Sequence, residues 1–203
     1  MKHRLLMLLL GFGLINAQSV LSLHPQSNIQ QRDPSVYYRF GKITVDGAKA
    51  FTTDEILKIA GIKSNMFASP AVVETASEVI KRAYLNRGHV RVQVKVVAEY
   101  EVISPRSKMG LVGIAININE GSVFQLRKMD FIGNYTTRDQ IIRRKILLDE
   151  GTTYNQDLMD KSLRQINSLK LFETLTMADV EVKTDEQQKA VDLLIHFKEI
   201  KRR

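Results

Sequence analysis

The sequence predicts an α+β protein built from two tandem β-α-α-β-β units. Residues 129–158 (MDFIGNYTTRDQIIRRKILLDEGTTYNQDL) contain a strand, a glycine turn, a helix and the start of a second helix, and residues 43–73 repeat this order more loosely. Gly47 and Gly133 are 86 residues apart and Glu120 and Glu199 are 79 apart, a drift that loop insertions produce in a tandem repeat. Because two helices cover only one face of a three-stranded sheet, each unit should be a small two-layer domain.

Caps and turns define the first unit. Thr52 and Glu55 form a capping box that begins a helix, and Gly61 closes it. Ser69 and Pro70 are the N-cap and first residue of a second helix. The predicted elements are a strand at 38–45 ending in an Asp46-Gly47 turn, a helix at 53–60, a helix from 70 to near Gly88, a strand at 90–96, a loop at 99–110 and a strand at 114–118.

The second unit begins directly after Glu120-Gly121. Thr136 and Asp139 repeat the cap pattern, and Asn155 can cap the following helix. The predicted elements are a strand at 124–131 with a bulge near Arg127-Lys128, a turn at Gly133-Asn134, a helix at 140–148 broken by Glu150-Gly151, a helix with an apolar stripe from Leu158 to Leu169, a strand at 175–182 with a parity slip at Ala178-Asp179, and a strand at 191–197.

The N-terminus has the order of a secretory signal peptide. Lys2, His3 and Arg4 precede an apolar run at 5–15, and the small residues Ala17 and Ser19 follow. Eleven apolar residues span only ~16 Å as a helix, roughly half a bilayer core, so cleavage is favoured over an uncleaved leader. We therefore expect a leader at 1–19, a flexible lead-in at 20–36, domains at 37–121 and 122–200, a basic tail at 201–203, and an extracytoplasmic location.

The composition predicts a globular protein that is not an enzyme. The chain has 203 residues, 44% of them hydrophobic and 26% charged, and no Cys, which excludes disulfides and cysteine metal sites. The four His residues are isolated from one another and from carboxylates at ligand spacing, and we find no nucleophile elbow or phosphate-binding glycine loop. We expect no catalytic residues, metal, cofactor or small-molecule substrate.

The basic charge has two interpretations. The chain has 30 Lys and Arg residues and 22 Asp and Glu residues, and either a solvated surface or a nucleic-acid-binding surface can explain this excess of positive charge. The β-α-α-β order invites comparison with the KH module, but the only Gly-x-x-Gly string, Gly110 to Gly113, lies between strands, so the sequence disfavours nucleic acid. The densest basic cluster, Arg143-Arg144-Lys145, is either a solvated helix end or a contact for acidic lipid headgroups or a partner.

Strand edges are the remaining candidates for a binding site. An unpaired edge of a three-stranded sheet can accept an extended segment of another chain, or it can be blunted by cations. The candidate edge residues are Val90, Arg91, Val92, Gln93, Val94, Lys95 and Val96 in the first unit and Leu175 and Met177 in the second.

The two units together resemble the POTRA (polypeptide-transport-associated) domains of the BamA-like outer-membrane β-barrel assembly family, and most of all the barrel-proximal pair. The second unit carries this resemblance through FIGN at 131–134, TRDQIIRRK at 137–145, EGTTYN at 150–155, SLKLFE at 168–173 and VDLLIHFKE at 191–199; the first unit matches through VDG at 45–47, YLNRG at 84–88 and ININ-EG at 116–121. Leu171 departs from the family pattern, which usually has Gly there. The sequence also ends at Lys201-Arg-Arg203 without barrel strands.

The resemblance implies a mixed sheet with the second strand at its edge and a periplasmic, outer-membrane-associated protein. It implies a role in receiving or relaying unfolded outer-membrane proteins, or in scaffolding the β-barrel assembly or export machinery, with those proteins or an assembly or export protein as partners. The open strand edges predict that these partners bind through β-augmentation. The alternative hypothesis is a structural protein that docks to one envelope complex without binding clients.

Overall fold

The computed structural model describes residues 32–200 and contains the two predicted α+β domains. The first comprises β1 (Tyr37–Asp46), α1 (Thr53–Ala60), α2 (Pro70–Leu85), β2 (Gln93–Ser104) and β3 (Met109–Asn119). The second comprises β4 (Gln125–Ile132), α3 (Asp139–Arg143), α4 (Gln156–Asn167), a 3-10 turn (Met177–Asp179), β5 (Val180–Asp185) and β6 (Ala190–His196). The predicted leader, the lead-in up to residue 31 and the basic tail lie outside the described residues.

Both domains contain a three-stranded mixed sheet with the same topology. In the first sheet the order is β1-β3-β2, with β1 parallel and β2 antiparallel to β3. In the second the order is β4-β6-β5, with the same parallel and antiparallel pairings. The last strand of each domain is therefore the central one, and the second strand is at an edge.

Each domain has its own hydrophobic core between the sheet and its helices. The first is built on Tyr38, Phe40, Ile56, Ile80, Tyr84 and alternate residues of β3; the second on Phe124, Leu126, Met129, Met159, Ile166 and alternate residues of β6. The helices contribute the apolar stripes that the sequence predicts, because residues three and four positions apart share one helix face. Among residues 32–200, no helix covers the opposite face of either sheet.

A carboxylate at the end of each central strand holds the loop that follows the first strand. Glu120 Oε1 accepts hydrogen bonds from the amides of Lys49 (2.6 Å) and Ala50 (2.7 Å) and from the Tyr84 hydroxyl (2.9 Å). Glu199 accepts from the amides of Thr136 and Thr137, and from the Thr136 hydroxyl. The two domains thus repeat one long-range contact.

Several predicted caps are confirmed. The Thr52 hydroxyl accepts from the Glu55 amide while the Glu55 carboxylate accepts from the Thr52 amide, and Gly61 ends α1 with φ +68°. Pro70 is the first residue of α2, although Ser69 makes no side-chain cap bond. The Asn155 side chain caps α4 through the Leu158 amide.

The predictions for the helix at 140–148 and for its cap are wrong. The helix covers only Asp139–Arg143, and its N-cap residue is Arg138, which makes no side-chain cap bond. Thr136 does not cap it, because the N-cap position is Arg138, two residues later, and the Thr136 amide and hydroxyl donate to Glu199 instead. The helical ladder does not continue beyond Arg144: the Lys145 and Ile146 amides donate three residues back, and the Leu147 amide donates to Ser162 Oγ of α4 (2.8 Å).

The strand boundaries also differ from the predictions. The segment at 99–110 is not a loop, since β2 continues to Ser104 and β3 begins at Met109 around a turn at 105–108. The register shift between Leu126 and Lys128 confirms the predicted bulge. The parity slip at 178–179 is a 3-10 turn, so β5 begins only at Val180.

Gly133→Ala is expected to lower the free energy of unfolding by more than about 2 kcal/mol. Gly133 has φ +93°, and an added Cβ would lie 2.0 Å from the Phe197 carbonyl oxygen. Gly151→Ala is the matched control, because Gly151 also has positive φ (+86°) but has no other atom within 4 Å of the added Cβ, so it should cost only about 1 kcal/mol. Chemical denaturation measures both values, and equal losses would contradict the role of the carbonyl contact.

Stability should fall in acid partly through Glu120. Burial alone raises the pKa of Glu120, but the hydrogen bonds from Lys49, Ala50 and Tyr84 together hold that pKa below its ordinary value of 4.5. A lowered carboxyl pKa stabilises the fold above pH 4.5, and this contribution disappears as the pH falls through the folded-state pKa. We expect Glu120→Gln to reduce the loss of unfolding free energy below pH 4.5, whereas Glu78→Gln should not. An unchanged pH slope for Glu120→Gln would refute this contribution.

Candidate strand-docking edge

One edge of each sheet is closed by the loop between the two helices. Along β1, the Phe40 amide donates to the Met66 carbonyl, and the Asn65 and Ala68 amides donate to the Phe40 and Tyr38 carbonyls, all at 2.9 Å. The loop at 151–154 makes the equivalent bonds to β4 through Phe124 and Leu126. These contacts leave β2 and β5 as the edges available to another strand.

The open edge of the first domain is long. β2 has 12 residues, and its backbone makes one hydrogen bond to a described residue outside the β2–β3 hairpin, from Ser77 Oγ of α2 to the Val94 carbonyl (3.0 Å). This bond indicates that the backbone groups of Val94 point away from β3. By alternation, those of Val96, Ala98 and Tyr100 point the same way, while their side chains pack on the core. Among residues 32–200, no hydrogen bond therefore occupies the outward backbone groups of Val96, Ala98 and Tyr100, and the register shifts only beyond Val102.

The open edge of the second domain is half as long. β5 has six residues, and the side chain of Lys183 on this strand pairs with that of Glu181 (3.2 Å). Short edge strands with charged side chains are a common way to discourage pairing with another chain. β2 is therefore the better docking edge.

The first three residues of the predicted edge belong to the junction between the domains. Val90, Arg91 and Val92 precede β2. Val90 packs against the second core, Arg91 forms a salt bridge with Glu186 of the second domain (2.7 Å), and Val92 is buried. The chain turns at Gly88, so pairing with β3 starts only at Gln93, and the docking role of Val90 to Val92 is corrected to a structural one.

Leu175 and Met177 do not lie on a strand edge either. Leu175 is buried, and the Asn167 side chain binds both its amide and its carbonyl (2.9 Å each). Met177 begins the 3-10 turn ahead of β5. Because the Asn167 side chain satisfies both backbone groups of Leu175, this residue has neither group left to offer a strand.

In the basic cluster, Arg143 makes intramolecular contacts although about half of its side chain is exposed (49%). The Arg143 guanidinium lies 4.8 Å from the Phe131 ring centre and donates to the Met129 carbonyl (2.9 Å). Arg144 is exposed and Lys145 is half-buried. Arg143 therefore stabilises the second domain, and contact of this cluster with lipid or a partner stays a prediction.

Sequence reasoning missed the second half of the edge and its neighbour Ser77. Pro105 and the basic residues beside it suggested a loop at 99–110. The alternation of Val94, Val96, Ala98, Tyr100 and Val102 was the available signal for a longer strand. For Ser77 the sequence has no such signal, because its bond to Val94 spans 17 residues.

Gly88 brings the two domains into direct contact just before β2. The Phe124 amide donates to the Gly88 carbonyl (2.9 Å), and a Cβ on Gly88 would lie 2.5 Å from Thr153 Cγ2. Near it, Arg82 binds Asp157 (2.6 Å) and Asp160 (2.5 Å). Burial raises the pKa of Asp157, but the Arg82 and Asn86 contacts outweigh it and lower that pKa. The junction fixes where β2 starts relative to the second domain.

The comparisons with known proteins agree with this architecture. The POTRA family model, described as surface antigen variable number repeat, matches residues 38–121 and 124–200. The chain therefore belongs to the POTRA family. It is similar to two proteins named outer membrane protein assembly factor BamA. The protein of Neorickettsia risticii is 31% identical over 67% of this chain and 18% of the relative. The protein of Nitratidesulfovibrio vulgaris is 20% identical over 80% of this chain and 20% of the relative. The chain thus spans about a fifth of these relatives.

A solved structure shows the same fold. The crystal structure of Haemophilus influenzae BamA POTRA3-5 matches with a TM-score of 0.64 at 20% identity, over 80% of this chain and 61% of that one. Within residues 32–200, no helix is long and apolar enough to span a membrane, and no group of three or more acidic or His side chains could hold a metal ion.

Gly88→Ala is expected to loosen the junction, because the added methyl group would clash with Thr153 Cγ2 and lie 3.0 Å from the Phe124 carbonyl oxygen. Gly121→Ala is the matched control, since Gly121 also has positive φ but its nearest contact would be 3.7 Å away. Residual dipolar couplings should fit one alignment tensor in the native chain and in Gly121→Ala, and two in Gly88→Ala. A single shared tensor in Gly88→Ala would refute the role of this contact.

Proposed function

We propose that this chain is a non-enzymatic periplasmic module, associated with the outer membrane, that binds or relays unfolded outer-membrane proteins. The binding site is the β2 edge from Val96 to Ser104, which accepts a client strand by β-augmentation. The observation that carries this proposal is the asymmetry of the first sheet: a loop closes β1, whereas β2 has free backbone groups. The naming of two relatives as outer membrane assembly factors supports the client class and the location.

The strength of such contact suits transient binding of many clients. Four or five backbone hydrogen bonds at ~1 kcal/mol net each give roughly 5 kcal/mol, which corresponds to about sub-millimolar affinity. Main-chain bonds depend little on side-chain identity, so unrelated strands can bind in turn. Attachment to a barrel would raise the effective client concentration to about the millimolar range and make this weak edge effective.

Ala98→Pro is expected to abolish most client-peptide binding while leaving the fold intact. Ala98 directs its amide away from β3 by the alternation set at Val94, so proline removes an edge donor and no β2–β3 bond. Ala98→Ser retains the amide and is the matched control. The probe is a ten-residue peptide of alternating Thr and Val, titrated by NMR, with circular dichroism to check folding. Unchanged peptide binding by Ala98→Pro would refute the proposal that clients bind at the β2 edge.

A crosslinking experiment separates this function from structural docking. A photo-crosslinking amino acid at Lys95 or Glu99, both exposed on β2, should capture several unfolded outer-membrane proteins in cells. Capture of a single folded protein at constant stoichiometry would instead favour a structural protein that docks to one envelope complex through the same edge.

A further inference from the structure

The helix-free face of the first sheet has an apolar centre. Met109, Leu111, Gly113 and Ala115 of β3 alternate with buried residues and therefore point to this face. Two adjoining grooves, with volumes of about 490 and 210 Å³, lie over Leu111, Gly113 and Ala115. Because Gly113 and the neighbouring Gly41 lack side chains, another sheet can approach the backbone closely here.

Around Leu111 and Gly113, the charges on this face are separated by sign, and at Asn117 the order is reversed, with Asp46 on β1 and Lys95 on β2. Leu111 pairs with Arg39 of β1 on one side and Glu101 of β2 on the other. Gly113 lies between Lys42, at the β1 bulge, and Glu99 of β2. No described residue forms a salt bridge with Arg39, Lys42, Glu99 or Glu101.

The same face of the second sheet is neutralised internally. Arg127 binds both carboxylate oxygens of Asp192 (2.8 and 2.7 Å) and also contacts Asp185 (3.2 Å). Lys128 pairs with Asp130 (2.9 Å). These hydrogen bonds from Arg127 lower the pKa of Asp192, as expected of a carboxylate with a close cationic partner. The first sheet differs in that Lys42, Glu99 and Glu101 form no salt bridge within residues 32–200, while the Arg39 guanidinium donates to the Asn65 carbonyl (3.0 Å).

We propose that this face binds the same face of a second copy of the chain. A two-fold axis along β3 places β1 of one copy over β2 of the other. Lys42 then faces Glu99 of the second copy, Arg39 faces its Glu101, and the apolar centres meet each other. Two sheets packed face to face are about 10 Å apart, a gap that these long side chains span. A two-fold interface needs such self-complementarity, and the separated charges provide it.

The dimer should be weak and sensitive to salt. Three strands spaced about 4.8 Å apart, with eight residues rising about 3.3 Å each, define a face of roughly 14 by 26 Å. This is below the ~800 Å² per partner of a standard interface. Charge pairs at the rim also weaken as ionic strength rises. The β2 backbone edge stays open in this arrangement, so dimerisation and client binding are independent.

Sedimentation equilibrium of residues 20–203, up to about 1 mM protein at low salt, tests this proposal. We expect a monomer–dimer equilibrium in the native chain. Lys42→Glu and Glu99→Lys should each raise the dimer dissociation constant by about tenfold or more, because each places like charges opposite one another. An equimolar mixture of the two variants, and the double variant, should dimerise again because opposite charges then face each other.

Lys183→Glu, on the corresponding face of the second domain, is the matched control and should leave the dissociation constant unchanged. A native chain that stays monomeric throughout the range would overturn the proposal and leave a different protein as the occupant. Dimerisation that the single variants do not weaken, or that the mixture does not restore, would also overturn it, because association would then use another surface.

Discussion

Two helices can cover only one face of a three-stranded sheet, and this constraint shapes both domains. Within residues 32–200, no helix covers the second face of either sheet, and α2 bonds the β2 edge at Val94 through Ser77 Oγ. The two domains differ in how their exposed strand edges are closed or shortened. In both domains the loop between the helices closes the first strand, but β2 is twice as long as β5. The fold thus determines where unpaired backbone groups remain, and strand length sets how many.

The thin cores that follow from this constraint make the junction important. Each domain encloses a separate core, yet Val90 from the first domain packs against the second. Glycine at position 88 permits the backbone approach to Phe124 and Thr153, whereas the ion pairs of Arg82 are largely exposed and contribute little energy on their own. Close packing at Gly88 and the hydrogen bonds of Asn86 with Asn155 and Asp157 therefore join the domains directly before the candidate edge strand begins.

The sequence was sufficient for the fold wherever local interactions decide the structure. Thr52 and Glu55 are three residues apart and cap α1 as predicted, and Gly47 and Gly133 have the positive φ that their turns require. The prediction failed where a distant residue competes. Thr136 has the same cap pattern, but Glu199, 63 residues away, takes its amide and hydroxyl. Spacing alone cannot rank a local cap against a contact that exists only after folding.

The candidate site was harder to locate because an edge is a property of the whole sheet. Alternation identified Gln93 to Val96 as strand, but nothing local to Val90 or Leu175 reveals that the junction and Asn167 engage these segments. The free groups of β2 can be recognised only after the loop at 65–68 is seen to close β1. The open face is likewise a property of the whole sheet. Lys42 and Glu99 lie 57 positions apart in the sequence, and they line the same groove because β1 and β2 both pair with β3. Binding surfaces in this fold therefore arise from what the packed elements leave unpaired, and they become visible with the strand order.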